Sequence, residues 1–132
     1  MFRGLVAVVF ALALLIVQGG CAASRDYTSL TLPHPPKPGE RAFLEVELGA
    51  LPTGHEVEVS SDTGRRLGVI SPHAIRPGRD AGTYTLPLPA DAVRDTPLRV
   101  RIRITRADAA PREASADEVR GVRVILSGDQ GP

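Results

Sequence analysis

From Arg41 onward, apolar and polar residues alternate along short stretches separated by turn formers, and this period of two predicts β-strands. Leu44, Val46 and Leu48 alternate with Glu45 and Glu47, and Val57 and Val59 alternate with Glu56 and Glu58. Such spacing belongs to sheets that bury one face and wet the other. Leu67 and Val69 continue after the turn-forming cluster Ser61-Asp62-Thr63-Gly64, so residues 55–70 are expected to form a hairpin. Tyr84, Leu86 and Leu88 form another alternating set. The clearest strand places Leu98, Val100, Ile102 and Ile104 on one face and Arg99, Arg101 and Arg103 on the other. Val122, Val124 and Leu126 make a last strand, and Thr28, Leu30 and Leu32 suggest a first edge strand.

Between these elements, Pro33-His34-Pro35-Pro36-Lys37-Pro38-Gly39 cannot enter a ladder, because proline has no N–H to donate. The run Ala107 to Ala116 is small, polar and broken by Pro111, and is expected to be a long mobile loop. Helical spacing is not sustained beyond the N-terminus; Asp91 to Asp95 and Ser115 to Val119 each allow a single turn. The expected fold is all-β, a small antiparallel β-sandwich of six or seven strands after an N-terminal signal helix.

The first 20 residues have the three parts of a secretory signal: Arg3, an apolar run from Leu5 to Val17, and small residues behind it. At about 13 residues that run is too short for a membrane span, which needs roughly 20. Cys21 is the one cysteine, so no internal disulfide can form. Val17-Gln18-Gly19-Gly20-Cys21 resembles the lipobox of bacterial lipoproteins, although Gln18 stands where that family carries an apolar residue. The resemblance implies that Cys21 is the lipid-attachment site and the mature N-terminus, and that Ala22 directs the protein to the outer membrane in a Gram-negative cell. Cleavage after Ala23 by ordinary signal peptidase is the alternative. The expected organisation is a signal peptide at 1–20, a lipid-attachment site and Pro-rich tether at 21–39, a sandwich domain at 40–127 and a frayed end at 128–132. Fully extended, Ser24 to Gly39 would reach roughly 50 Å.

Charge changes the picture little. Sixteen Lys and Arg balance 15 Asp and Glu, so no field of one sign draws in nucleic acid, and no nucleic-acid partner is expected. Glu rows placed side by side would cost a few tenths of a kcal/mol or more per pair, roughly. The Arg99, Arg101 and Arg103 row is therefore expected beside a Glu row of the same sheet, and it is also a possible binding surface for an anionic polymer or lipid headgroup. Outside the signal, tryptophan is absent and the aromatics are Tyr27, Phe43 and Tyr84, too few for a stacking platform.

The sequence offers no catalytic constellation. Asp62-Thr63-Gly64 matches the triplet of aspartic proteases, but Ser60, Ser61, Arg65 and Arg66 flank it where an acid pair needs a dry apolar site, so turn chemistry explains it. His34, His55 and His73 lie far apart, without metal-ligand spacing, and no serine sits in a nucleophile elbow. No enzyme activity, cofactor or metal is expected.

Two further stretches carry resemblances. Asp80-Ala81-Gly82-Thr83-Tyr84 resembles the tyrosine corner of immunoglobulin-like domains, which implies that the Tyr84 phenol bonds back to the backbone. The order Ala81 to Pro87, Leu98 to Ile102, Asp117-Glu118-Val119 and Val122 to Leu126 resembles the C-terminal β-domain of polyphenol oxidases, a domain that carries none of the copper histidines. The expected function is a non-catalytic binding or structural module of the cell envelope. It would be exported and held through its lipid on the periplasmic or extracellular side, in contact with a protein partner. The polyphenol oxidase resemblance implies instead an accessory to a secreted oxidase, copper-containing or otherwise.

Overall fold

The computed structural model describes residues 27–73, 78–94 and 97–128. The signal segment, Cys21 and the last four residues lie outside the described residues. Eight strands run in chain order: β1 (Thr28–Leu30), β2 (Glu40–Leu48), β3 (Glu56–Ser61), β4 (Arg66–Ile70), β5 (Gly82–Pro87), β6 (Leu98–Arg106), β7 (Ala109–Glu113) and β8 (Val119–Gly128). A 3₁₀ turn, Ala90–Val93, lies between β5 and β6.

Every strand pairing is antiparallel. One sheet runs β4-β3-β6, with β1 and β7 both paired to β6; the other runs β5-β2-β8. Because β3 occupies one side of β6, β1 and β7 share its other side end to end, β1 on residues 98–100 and β7 on residues 103–106. The layering is that of a sandwich. The strand order differs from the ABED and CFG sheets of immunoglobulin constant domains.

The apolar alternation is what holds the two layers together. Leu44, Val46 and Leu48 of β2, Val57 and Val59 of β3, and Val100 and Ile104 of β6 are buried, and these three strands are the inner members of their sheets. Each such side chain contributes about 1.5–3 kcal/mol relative to an exposed position, before the entropy of ordering the chain is subtracted. The expected hairpin is present: β3 and β4 pair from Val57 with Ile70 to Ser60 with Arg66, closed by Ser61 N–H to the Arg65 carbonyl at 2.8 Å. Gly64 takes φ +85° in that loop, the left-handed conformation that favours glycine.

The acidic rows are kept apart. Glu45 and Glu47 lie on β2 in one sheet, Glu56 and Glu58 on β3 in the other. The Arg99, Arg101 and Arg103 row lies beside a Glu row of its sheet as expected, with Glu58 the cross-strand partner of Arg103; beyond that expectation, Glu45 is the partner of Arg123, whose Nε donates to its Oε1 at 2.6 Å.

Three expectations need correction. Among the described residues there are eight strands rather than six or seven. The domain begins before residue 40, because β1 pairs with β6 and the proline run is an internal β1–β2 connection. It closes in a turn where Glu40 N–H donates to the Lys37 carbonyl at 3.0 Å, with Gly39 at φ +83°. The expected Ser24 to Gly39 tether is therefore not a free extended segment, since Thr28–Leu30 lies in the sheet. Finally, Ala107 to Ala116 is no long loop: Ala109–Glu113 forms β7 in a tight hairpin with β6. All five β7 residues are exposed, so no apolar alternation marks them. Pro111 fits because β7 has a ladder partner only on its β6 side. Ion pairs add to the ladder, Arg101 to Glu113 at 3.0 Å and Arg106 to Asp108 at 2.5 Å. The two allowed single turns are there, as the 3₁₀ turn and as a turn in which Val119 N–H donates to the Ser115 carbonyl at 3.0 Å.

Candidate functional site

Strand β6 carries its arginine row on the outer face of the five-stranded sheet. Its inner set is pinned in the core, and in a pleated strand the alternate residues must then point outward. The three arginines stand in different surroundings. Arg99 lies 5.7 Å from the Tyr27 ring centroid and 4.0 Å from the Asp62 carboxylate. Arg101 lies 6.0 Å from the same ring and pairs with Glu113 at 3.0 Å. Guanidinium groups over an aromatic face gain roughly 0.5–1 kcal/mol at exposed sites. Arg103 instead donates from Nη2 to the Pro111 carbonyl at 3.3 Å, and its Nε is buried with no partner among the described residues.

Arg101 and Arg103, but not Arg99, wall a cleft of about 400 Å³ together with Tyr27, Ser60 and Arg66. Glu58 also lines it and pairs with Arg66 at 2.9 Å. Of its three guanidinium groups, two have a carboxylate partner, Arg66 in Glu58 and Arg101 in Glu113. The chain arrives there from two remote stretches: β1 brings Tyr27 to one side of β6, and the β3–β4 hairpin brings Ser60 and Arg66 to the other. Asp62, Thr63 and Gly64 form the tip of that hairpin, where Ser61 Oγ and Thr63 Oγ1 are 2.8 Å apart. They serve as turn residues, as their flanks predict.

A larger concavity, a groove of about 930 Å³, opens between the β1–β2 connection and the 3₁₀ turn. Leu32, Pro33 and Pro36 of the β1–β2 connection form one wall; Phe43 of β2, Leu88 and Val93 of the 3₁₀ turn form the other. His34, Glu40, Arg41 and Arg94 give it a polar rim. His34 Nδ1 lies 2.9 Å from the Pro35 carbonyl oxygen and 3.7 Å from Glu40 Oε2, while Lys37 N–H donates to that carboxylate at 2.8 Å. The proline run is thereby held against β2.

Two charged contacts brace the edges. Arg112 donates to both Glu118 oxygens, at 2.9 and 2.6 Å, and Ser115 N–H donates to Oε2 at 2.9 Å. The Arg112 bonds, and then the backbone N–H, lower the Glu118 pKa to about 2 and raise that of Arg112. Ser115 and Glu118 have the spacing of a capping box, here on a single turn. Arg65 donates to Asp91 at 2.5 Å and holds that carboxyl below its ordinary range. Tyr84 Oη donates to the Ala81 carbonyl at 3.0 Å, the backbone bond that the tyrosine corner implies.

His34 and His55 are far from any shared ligand set, and among the described residues no three His, Cys, Asp or Glu side chains gather as a metal site. The sequence reading named the arginine row but missed Tyr27 and Arg66 as its neighbours, and missed the larger groove entirely. Neither had a local signal, because each is assembled from strands far apart in the chain. No protein-family model, curated protein or solved structure matches the chain.

Proposed function

We propose that this chain is an exported, lipid-anchored, non-catalytic β-sandwich serving as a binding module of the cell envelope, with an apolar segment of an envelope protein as the partner of its larger groove. The observation that carries the reading is the groove itself: an open, apolar trough with a charged rim, the form in which protein surfaces take up another chain. The signal segment and the Cys21 motif support the location. Cys21 would carry the acyl chains, and each buried CH₂ adds about 0.8 kcal/mol of membrane attachment.

The test places a photo-crosslinking amino acid at Phe43 in the groove and, as a control, at Val69 on the outer face of β4. Cells are irradiated and the adducts identified. An adduct formed at Phe43 and absent at Val69, containing an envelope protein, is the expected result. Equal adducts at both positions would refute the groove, and a copper oxidase at Phe43 would favour the accessory reading instead. The mass of the mature N-terminus tests the anchor separately: an unmodified chain starting at Ser24 removes it.

A further inference from the structure

We infer that the cleft between Tyr27, Arg66, Arg101 and Arg103 seats an anionic lipid headgroup of the membrane that holds the Cys21 anchor. The inference rests on the lipid-anchored reading above and adds a second, reversible contact to it. Three observations on different parts of the molecule converge there.

The first is charge. Of the three arginines that line the cleft, Arg66 is paired with Glu58 and Arg101 with Glu113, so the charge offered to an anion is that of Arg103. The second is unspent hydrogen-bonding capacity. Arg103 has five N–H donors; among the described residues it makes one bond, to the Pro111 carbonyl, and approaches no carboxylate within ion-pair distance, Glu58 and Glu113 being paired with Arg66 and Arg101. Its Nε is too buried for a ligand to reach, so the donors left for one are the remaining Nη hydrogens. A half-buried guanidinium left in that state is costly, and a phosphate oxygen is the acceptor its fork fits best.

The third observation chooses the source of the phosphate. Tyr27 forms one wall of the cleft and stands six positions after Cys21. Six residues span at most about 21 Å however they are arranged, since an extended chain advances no more than about 3.6 Å per residue. A lipid on Cys21 therefore keeps the cleft within that leash of the bilayer surface, and not out in bulk solvent. Tyrosine beside arginine is also the pairing that suits a membrane–water boundary, with an apolar ring and a charged fork side by side. The Tyr27 ring holds Arg99 and Arg101 over its faces and so limits the freedom those side chains lose on binding.

The test uses the full chain extracted from membranes, its acylated N-terminus confirmed by mass. It is reconstituted in phosphatidylethanolamine vesicles containing phosphatidylglycerol and, separately, in phosphatidylcholine vesicles. Phenylglyoxal modification of each arginine is followed by peptide mapping. Arg66 and Arg103 are expected to react about tenfold more slowly in the anionic vesicles, the factor that about 1.4 kcal/mol represents. Arg106 and Arg123, exposed elsewhere on the surface, should react equally in both. Equal rates at Arg66 and Arg103 on acylated protein would overturn the headgroup site while leaving the anchor intact. The same protection from inorganic phosphate added to phosphatidylcholine vesicles would also overturn it, in favour of a free-anion site. An unacylated N-terminus would remove the anchor and the leash together.

Discussion

Gly49, just past the end of β2, should not accept even a methyl group. A Cβ built there would fall inside contact distance of the Asp117 carbonyl oxygen and close to the Arg120 side chain. The obstacle is backbone, which cannot swing aside as a side chain does. Gly49 is also fixed on both its own polar groups: its N–H donates to the Glu118 carbonyl at 2.9 Å, and its carbonyl accepts from Ala81 N–H at 3.0 Å. Moving away from Asp117 would strain one bond or the other, and through them the turn at 115–118 and the entry to β5. Overpacking of this kind costs typically 1–3 kcal/mol, and a strained pair of backbone bonds brings the expectation for Gly49→Ala to about 3 kcal/mol. Urea unfolding followed by far-ultraviolet circular dichroism measures it as a lower midpoint at unchanged slope. Gly54→Ala is the control: that glycine has a positive φ of +81° but open space around its missing Cβ, so its cost is conformational, about 1 kcal/mol. If the two variants unfold at the same midpoint, the close approach of Asp117 to β2 is wrong.

Three other outcomes follow from the packing and the charged contacts. Leu44→Ala, in a side chain with no exposed surface at the centre of the core, should lower stability by about 2–5 kcal/mol in the same urea assay. Glu118→Gln should cost stability at neutral pH and progressively less in acid. The folded pKa of about 2 lies below the ordinary value of 4.5, so the ionised form stabilises the fold fully above 4.5 and loses that effect as pH falls toward 2. Melting temperatures of the two proteins should therefore converge across that window, and a constant difference would show that the Arg112 pair is not responsible. Tyr84→Phe removes the bond to the Ala81 carbonyl and should cost about 0.5–1.5 kcal/mol, with an unchanged far-ultraviolet circular dichroism spectrum confirming that the sheets are otherwise intact.

How much was readable beforehand depended on whether a segment buries apolar side chains. β2, β3, β6 and β8 alternate because one face of each packs on the core, and all four were visible. β7 was invisible for the opposite reason: it is exposed throughout and is held by a ladder and by ion pairs that sequence spacing does not display. The same limit applied to the sites. Arg99, Arg101 and Arg103 stood out as a row on one strand, but Tyr27 and Arg66 reach them only because β1 and the β3–β4 hairpin flank β6. The larger groove joins Leu32, Phe43 and Val93, which no local pattern connects.

By itself, then, the sequence determined an all-β fold, the inward and outward sides of its main strands and the turn at Ser61 to Gly64. Those features follow from the fixed alternation of side chains along an extended backbone and from the few residues that tolerate a left-handed turn. Strand order, the inclusion of β1 in the sheet, the separation of the two glutamate rows and both concavities were decided only in three dimensions. Pairing between distant strands depends on which apolar faces meet across the core, and a one-dimensional period of two is satisfied equally by many such arrangements.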